Sequence, residues 1–171
     1  VTHDRDEACM LGDRVAVLID CKIHQVGAAA EVFLRPVNEA VAHFVGVDTK
    51  IPGVVEIVTD GLVRVRFNGG GAEVVGDFQP GERVLLCLRP EDITLSPPGG
   101  EDFKSSARNR LFGNVVKITP WGSHYRVALD CGGSRLVAFI TRPSFIDLKL
   151  REGAEVVASF KATAVHVIRR R

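Results

Sequence analysis

The sequence predicts a mainly β protein: two small barrels in tandem, preceded by a short α/β segment. Three observations carry that expectation. From residue 51 onward, short runs rich in Val, Ile and Phe alternate with turns of Gly, Asn, Asp and Pro. One stretch of this pattern occurs twice. Helical signals concentrate in the first 46 residues.

Within residues 1–46, Thr2 is placed to cap a helix over Asp4 to Leu11, with Asp4, Asp6 and Glu7 in the first turn and Gly12 as its stop. Arg14 to Ile19 reads as a strand. Asp20-Cys21 occupies a tight turn, and Lys22 to Val26 returns as a second strand. Ala28 to Leu34 is helical until Pro36 ends it. Asn38 can then cap a further helix to Val45, with Gly46 beyond it.

Residues 51–98 form the first β unit, with strands expected at Val54 to Ile57, Val63 to Phe67 and Arg83 to Arg89. Turns are expected at Asp60-Gly61, at residues 68–71 and at Pro80-Gly81. Ser96 to Asp102 holds two prolines and two glycines and reads as a linker. Residues 105–169 form the second unit, with turns at Trp121-Gly122 and at residues 131–133. Trp121 is expected to pack at its hairpin, and Arg169 to Arg171 to form a solvated tail.

The two β units repeat one another. GERVLLCLRPEDITL (Gly81 to Leu95) lies over GAEVVASFKATAVHV (Gly153 to Val167) without a gap, at an offset of 72, which puts Arg89 on Lys161. Nearer the start, GVVEI resembles GNVVKI with Val54 on Val115, an offset of 61. The second copy thus carries eleven extra residues, expected mostly in TRPSFIDLKL. Five possible strands in 50 to 65 residues suit a small barrel of the OB type. A unit of that size buries only about 60% of its unfolded surface, so it is expected to pack on its twin or on another subunit.

The bulk numbers exclude several classes. A net charge of +1 over 171 residues provides no global field for nucleic acid or an anionic membrane. Aromatic residues at 6%, with one Trp and one Tyr, do not supply the stacking platforms of a nucleic-acid-binding OB module. No apolar run reaches the roughly 18 residues of a membrane span. The opening residues lack the pattern of a secretory leader. The cysteines Cys9, Cys21, Cys87 and Cys131 form no CxxC pair and the histidines are scattered, so reduced thiols and no metal site are expected.

The strings VTHDRDEA, LGDRVAVL, KIHQVG, EVFLRPVNEAVAHFVG and LRPEDITL follow one another closely. Together they resemble the distal part of the ATP-binding subunits of ABC importers, followed by the accessory β domain (TOBE) that such subunits carry. The last third adds SSARNRLFGNVVKI, VAFITRPSFIDLKL and FKATAV, which resemble a Mop-type unit that binds molybdate or tungstate. The resemblance implies three pieces: a C-terminal remnant of the ABC nucleotide-binding domain (1–46), a first OB-like TOBE unit (51–98) and a second OB-like Mop unit (105–169).

The same resemblance assigns His3, in VTHD, as the switch histidine that reaches the ATP γ-phosphate and the attacking water in the intact protein. Imidazole suits that task, because it donates to a phosphate oxygen and orients a nucleophile near neutral pH. The full-length protein is therefore expected to use ATP and Mg²⁺. This chain holds no GxxxxGK[ST] loop, and the signature stretch and the Mg²⁺-holding acidic strand would lie before Val1. It is expected neither to bind ATP tightly nor to hydrolyse it. At the hairpin the family usually has Gly where Cys21 stands, which leaves the turn type open.

For a tetrahedral dianion the resemblance implies a set of short donors. Ser106, Arg108 and Asn109 match the SARN strand, Lys161, Ala162 and Thr163 match the KAT turn, and Thr141 and Ser144 lie in the ITxxS segment. Hydroxyls, backbone N–H groups and an ammonium can replace an oxyanion's water shell without a large net charge. Each has a plainer alternative: Arg108 and Lys161 as solvated surface residues, Thr141 and Ser144 as caps of a short helix over Phe145 to Leu148. The first repeat has Arg89-Pro90-Glu91 in place of Lys161-Ala162-Thr163, so it is expected to be structural, or at best a weak contributor to a shared site. The implied partners are a second copy through the β domains, the membrane permease subunits and the oxyanion. The implied location is cytoplasmic, on the inner face of the membrane. Two other readings remain open: the same kind of subunit for sugar, polyamine or ferric iron, and a stand-alone oxyanion store.

Overall fold

The computed structural model of the chain describes residues 1, 2, 4, 7, 8, 10, 12–99 and 105–170. The chain divides into two compact units, Val1–Val47 and Asp48–Arg171.

In the first unit, β1 (Arg14–Ile19) and β2 (Lys22–Ala28) form an antiparallel hairpin. Asp20 and Cys21 both take positive φ, 49° and 59°. The tight turn therefore forms as a primed type with a non-glycine residue at each centre, at a cost of about 1 kcal/mol at Cys21. Helix α1 (Ala29–Leu34) follows, then α2 (Glu39–Phe44). Asn38 caps α2 as expected, its side chain accepting from Val41 N at 2.9 Å. Gln25 clamps the intervening loop by donating to Arg35 O and accepting from Val37 N, both at 3.0 Å. Of the helix expected over Asp4 to Leu11, Glu7, Ala8 and Met10 are helical. Asp4 is the N-cap, accepting from Glu7 N at 3.0 Å, and Thr2 takes the preceding donor, accepting from Asp4 N at 3.0 Å. His3 lies outside the described residues.

The second unit holds two five-stranded antiparallel sheets. The first contains β3 (Thr49–Thr59), β4 (Leu62–Phe67), β5 (Gly70–Val75), β6 (Arg83–Leu88) and β12 (His166–Arg169), in the order β12-β6-β3-β4-β5. The second contains β7 (Thr94–Ser96), β8 (Asn109–Trp121), β9 (His124–Cys131), β10 (Ser134–Thr141) and β11 (Glu155–Phe160), in the order β10-β9-β8-β11-β7. Each half thus gives its last strand to the other: β7 pairs with β11, and β12 pairs with β6. A single apolar cluster runs through both, joining Ile51, Val65 and Leu86 to Leu129, Leu136 and Phe160. The stretches 51–98 and 105–169 are contiguous in sequence, but each sheet is built from both.

The strand registers measure the repeat. Val55 N donates to Glu82 O and Gly81 N to Val55 O, while Val115 N donates to Ala154 O and Gly153 N to Val115 O. Val55 therefore corresponds to Val115, an offset of 60 rather than 61. Both long strands also bulge at equivalent places, after Val55 and after Val115. The pairs Val55↔Val65 and Val115↔Leu129 set the next offset at 64, and Glu82 and Ala154 set the last at 72. The second copy therefore carries twelve extra residues, four in its longer first hairpin and eight around α3 (Arg142–Asp147).

Three expectations change. The turn at residues 68–71 is shorter, because Phe67 pairs with Gly70 and frees Gly70–Val75 to form β5. Trp121 ends β8 with 57% of its surface exposed, so it does not pack at the hairpin. Arg169 belongs to β12, donates from Nε to Glu82 at 3.3 Å and lies 4.7 Å over the Phe78 ring, so it is not part of a solvated tail.

Candidate functional site

The halves of the second unit are joined through buried polar groups. Thr49, Asn109 and Ser134 are the buried polar side chains among the described residues, and each one bonds across the pseudo-dyad. Asn109 at the start of β8 reads the backbone of β5: its Oδ1 accepts from Glu73 N at 2.7 Å and its Nδ2 donates to Glu73 O at 2.8 Å. Thr49 at the start of β3 makes the equivalent contact with β10, accepting from Val137 N at 2.9 Å. Ser134 donates to Asn68 O at 2.6 Å.

The joint gathers part of the expected oxyanion set. Asn109 faces Phe160 in the β8–β11 register, so Arg108 and Asn109 stand beside the chain that turns at Lys161. Lys161 leads into a 3₁₀ turn, Ala162–Ala164, which packs on β5. Ala162 is buried while Lys161 and Thr163 are exposed. Arg108 forms an ion pair from Nε to the Glu73 carboxylate on that same strand. Ser106, exposed, lies two residues before Arg108. Asn109 has both ends of its amide committed to the Glu73 backbone, so its task in the free protein is structural.

Thr141 and Ser144 are placed differently. Thr141 is the N-cap of α3, accepting from Ser144 N at 3.4 Å, and the two hydroxyl oxygens lie 3.0 Å apart. The helix covers Arg142–Asp147 and is anchored by Phe145 stacked on Tyr125 at 4.2 Å. Among the described residues no hydrogen bond joins this pair to the Lys161 turn.

Glu73 is the residue that sequence reasoning missed. The Arg108 hydrogen bond holds its carboxyl below the ordinary value, partial burial opposes this, and the charges of Arg108 and Arg64 assist. Its signal was the alternation in GGAEVV, where Ala72 and Val74 are buried and Glu73 sits between them. The equivalent corner of the first half holds an Asp48–Arg126 ion pair at 3.2 Å and an Arg89–Glu91 pair at 3.4 Å, with Pro90 buried. Burial, reinforced by Glu91, raises the Asp92 carboxyl there. Burial and the charge of Asp130 push the Cys131 thiol to about 11, so it stays protonated. Among the described residues no group of His, Cys, Asp and Glu is arranged to hold a metal, and no helix is long and apolar enough to cross a membrane.

Two exchanged five-stranded sheets of the OB type, joined at their strand starts, define the class of domain. Residues 105–167 match the TOBE domain family. Over that stretch the chain is similar to a TOBE domain, and over nearly its whole length it resembles the ATP-binding subunits of molybdate/tungstate importers. It is 42% identical over 169 residues to the molybdate/tungstate import ATP-binding protein WtpC of Pyrococcus horikoshii. It is 41% identical over 167 residues to the WtpC of Pyrococcus abyssi. Each alignment covers 98% of this chain and 46% of the relative, so the chain spans about half the length of these proteins. The cytoplasmic molybdate-binding protein ModG, solved with molybdate bound, shares the fold at a TM-score of 0.65 and 23% identity, over 70% of this chain and 94% of ModG.

Proposed function

We propose that this chain is the C-terminal region of the ATP-binding subunit of an importer for molybdate or tungstate, that its β unit binds the cytosolic oxyanion, and that it helps to pair two such subunits. The full-length protein would bind ATP with Mg²⁺ and drive transport through membrane permease subunits, with His3 as the residue that senses the γ-phosphate. It would work on the cytoplasmic face of the membrane. The WtpC similarity over nearly the whole of this chain supports the parentage.

One observation supports the anion site: Arg108 and the Lys161 turn come together over a single strand, β5. Lys161 offers an exposed ammonium, Thr163 and Ser106 offer exposed hydroxyls, and Arg108 keeps terminal nitrogens beyond the Nε used by Glu73. An arriving dianion then competes with Glu73 for the guanidinium. Occupancy pulls Arg108 away from β5, which belongs to the other half, and so links the anion to the joint between halves. If the paired subunits have two arrangements that differ at this joint, the anion favours one of them by its difference in affinity.

Calorimetry with molybdate, tungstate and sulfate tests the proposal. Heat with the first two is expected, weakened roughly tenfold or more in Lys161→Ala. Glu73→Gln removes the competitor and is expected to tighten binding. Silence toward molybdate and tungstate, or equal binding by wild type and Lys161→Ala, overturns the anion reading.

A further inference from the structure

The pseudo-dyad relates two open grooves. The larger, about 670 Å³, is lined by Pro52, Gly53, Arg66, Arg83 and Arg170, among others. The smaller, about 310 Å³, is lined by Phe112, Gly113, Asn114, Asp130 and Glu155, among others. The strand registers make them counterparts. Val54 lies between Arg66 and Arg83 in a row across three strands of the first sheet. Asn114 lies between Asp130 and Glu155 in the same row of the second sheet. Equivalent positions therefore carry opposite charge: arginine on one side of the dyad, carboxylate on the other. Pro52 corresponds to Phe112, whose surface is 71% exposed.

The grooves also adjoin. Gly69 lines the basic one and Gly132 the acidic one, and these glycines touch, since a Cβ built on Gly132 would lie 2.6 Å from Gly69 Cα. The surface around the dyad is thus one patch with a positive and a negative side. Among the described residues Arg83, Asp130 and Glu155 form no ion pair, while Arg66 meets Glu56 at 2.7 Å.

We propose that this patch is an interface with a second copy of the chain, related by a two-fold axis lying in the plane of the patch. A pseudo-symmetric patch permits two such face-to-face arrangements. One stacks arginine on arginine and carboxylate on carboxylate. The other lays the arginine groove of each copy on the carboxylate groove of the other, with every contact made twice. Charge selects the second arrangement, and the exposed Phe112 supplies an apolar anchor beside it. The inference deepens the pairing role proposed above and is independent of the anion site.

Sedimentation equilibrium on the chain tests it. Wild type is expected to dimerise, more weakly as salt rises. Arg66→Glu with Arg83→Glu makes both grooves acidic and Asn114→Arg with Glu155→Arg makes both basic, so each double variant alone is expected to weaken self-association by roughly 100-fold. An equimolar mixture of these two variants is expected to form a heterodimer, because every groove then meets its opposite. A monomeric wild type, wild-type dimerisation by either double variant, or a mixture that stays monomeric overturns the inference. Titrating the same variants with molybdate separates the two readings, because none of these substitutions touches Lys161, Thr163 or Arg108. Unchanged heat together with a failed assembly test sinks the interface alone.

Discussion

The two halves of the β unit share a backbone and differ in nearly everything displayed on it. Gly53 and Gly113 occupy equivalent close approaches, where an added Cβ would lie 2.6 Å from Val65 Cγ1 in one half and 2.4 Å from Cys131 Sγ in the other. The bulges after Val55 and Val115 match, and so do the cross-dyad bonds of Thr49 and Asn109. By contrast, the grooves have opposite charge, and the turns read Arg-Pro-Glu-Asp in one half and Lys-Ala-Thr-Ala in the other. Steric and hydrogen-bond constraints at the joint therefore hold the scaffold, while solvent-facing positions are free to take separate chemistries.

The sharpest way to break this comparison is at the glycine contact on the dyad. Gly69 has φ +89°, and a Cβ there would lie 2.4 Å from both Cys131 O and Gly132 O. The turn and the opposing hairpin are both backbone at this point, so neither yields by a rotamer change. Gly69→Ala is expected to cost about 3 kcal/mol or more in denaturant unfolding. Gly61, φ +77° with open space around it, is the control in the same half. Gly61→Ala is expected to cost about 1 kcal/mol, the conformational penalty alone. Equal losses would mean that the two halves do not rely on close contact at the axis.

A smaller effect sharpens the equivalence of Asn109 and Thr49. Asn109→Ala leaves both the N–H and the C=O of Glu73 without their partner, whereas Thr49→Ala leaves only Val137 N–H. Losses of about 2–4 kcal/mol and about 1–2 kcal/mol are expected, measured by chemical denaturation. The reverse order would show that the amide clamp is not the stronger joint.

Much of the fold was legible because turn chemistry is local. Asp60-Gly61, Pro80-Gly81 and Asn38 announced two turns and a cap, and the repeat was visible because buried strand residues recur at fixed spacing. The exchange of β7 and β12 was not legible, since a strand's pattern records that it is buried and not which sheet buries it. The offset of 61 instead of 60 has the same origin. GVVEI and GNVVKI agree at more positions at 61, and only the bonds of Val55 and Val115 show that the true register is 60. At the candidate site the motif strings named Arg108 and Lys161. They did not name Glu73, because its role exists only once β5 meets the start of β8. The charge reversal between grooves was half visible: the offset of 72 already sets Arg83 on Glu155, but Arg66 and Asp130 become counterparts only at the offset of 64 that the strand registers give.

The least forceful test concerns two carboxylates with no titrating counterpart in the second half, Glu73 opposite Val137 and Asp92 opposite Ala164. They work in opposite directions with pH. The Glu73 carboxyl is held below its ordinary 4.5 first by the Arg108 hydrogen bond, so its contribution is present above that value. It is lost as pH falls through the depressed one. The Asp92 carboxyl is raised above its ordinary 3.8 by burial and then by Glu91, so its charged form opposes folding at neutral pH. That penalty is relieved as pH falls through the raised value. Glu73→Gln is therefore expected to flatten the acid side of the stability profile and to lower stability at pH 7. Asp92→Asn is expected to raise stability at pH 7 and to leave it unchanged below pH of about 3. Unfolding midpoints measured across this range check both. A Glu73→Gln profile that keeps its acid slope would mean that the Arg108 bond does not hold β5 to the start of β8 in solution, and an Asp92→Asn variant no more stable at pH 7 would mean that burial of Asp92 carries no penalty.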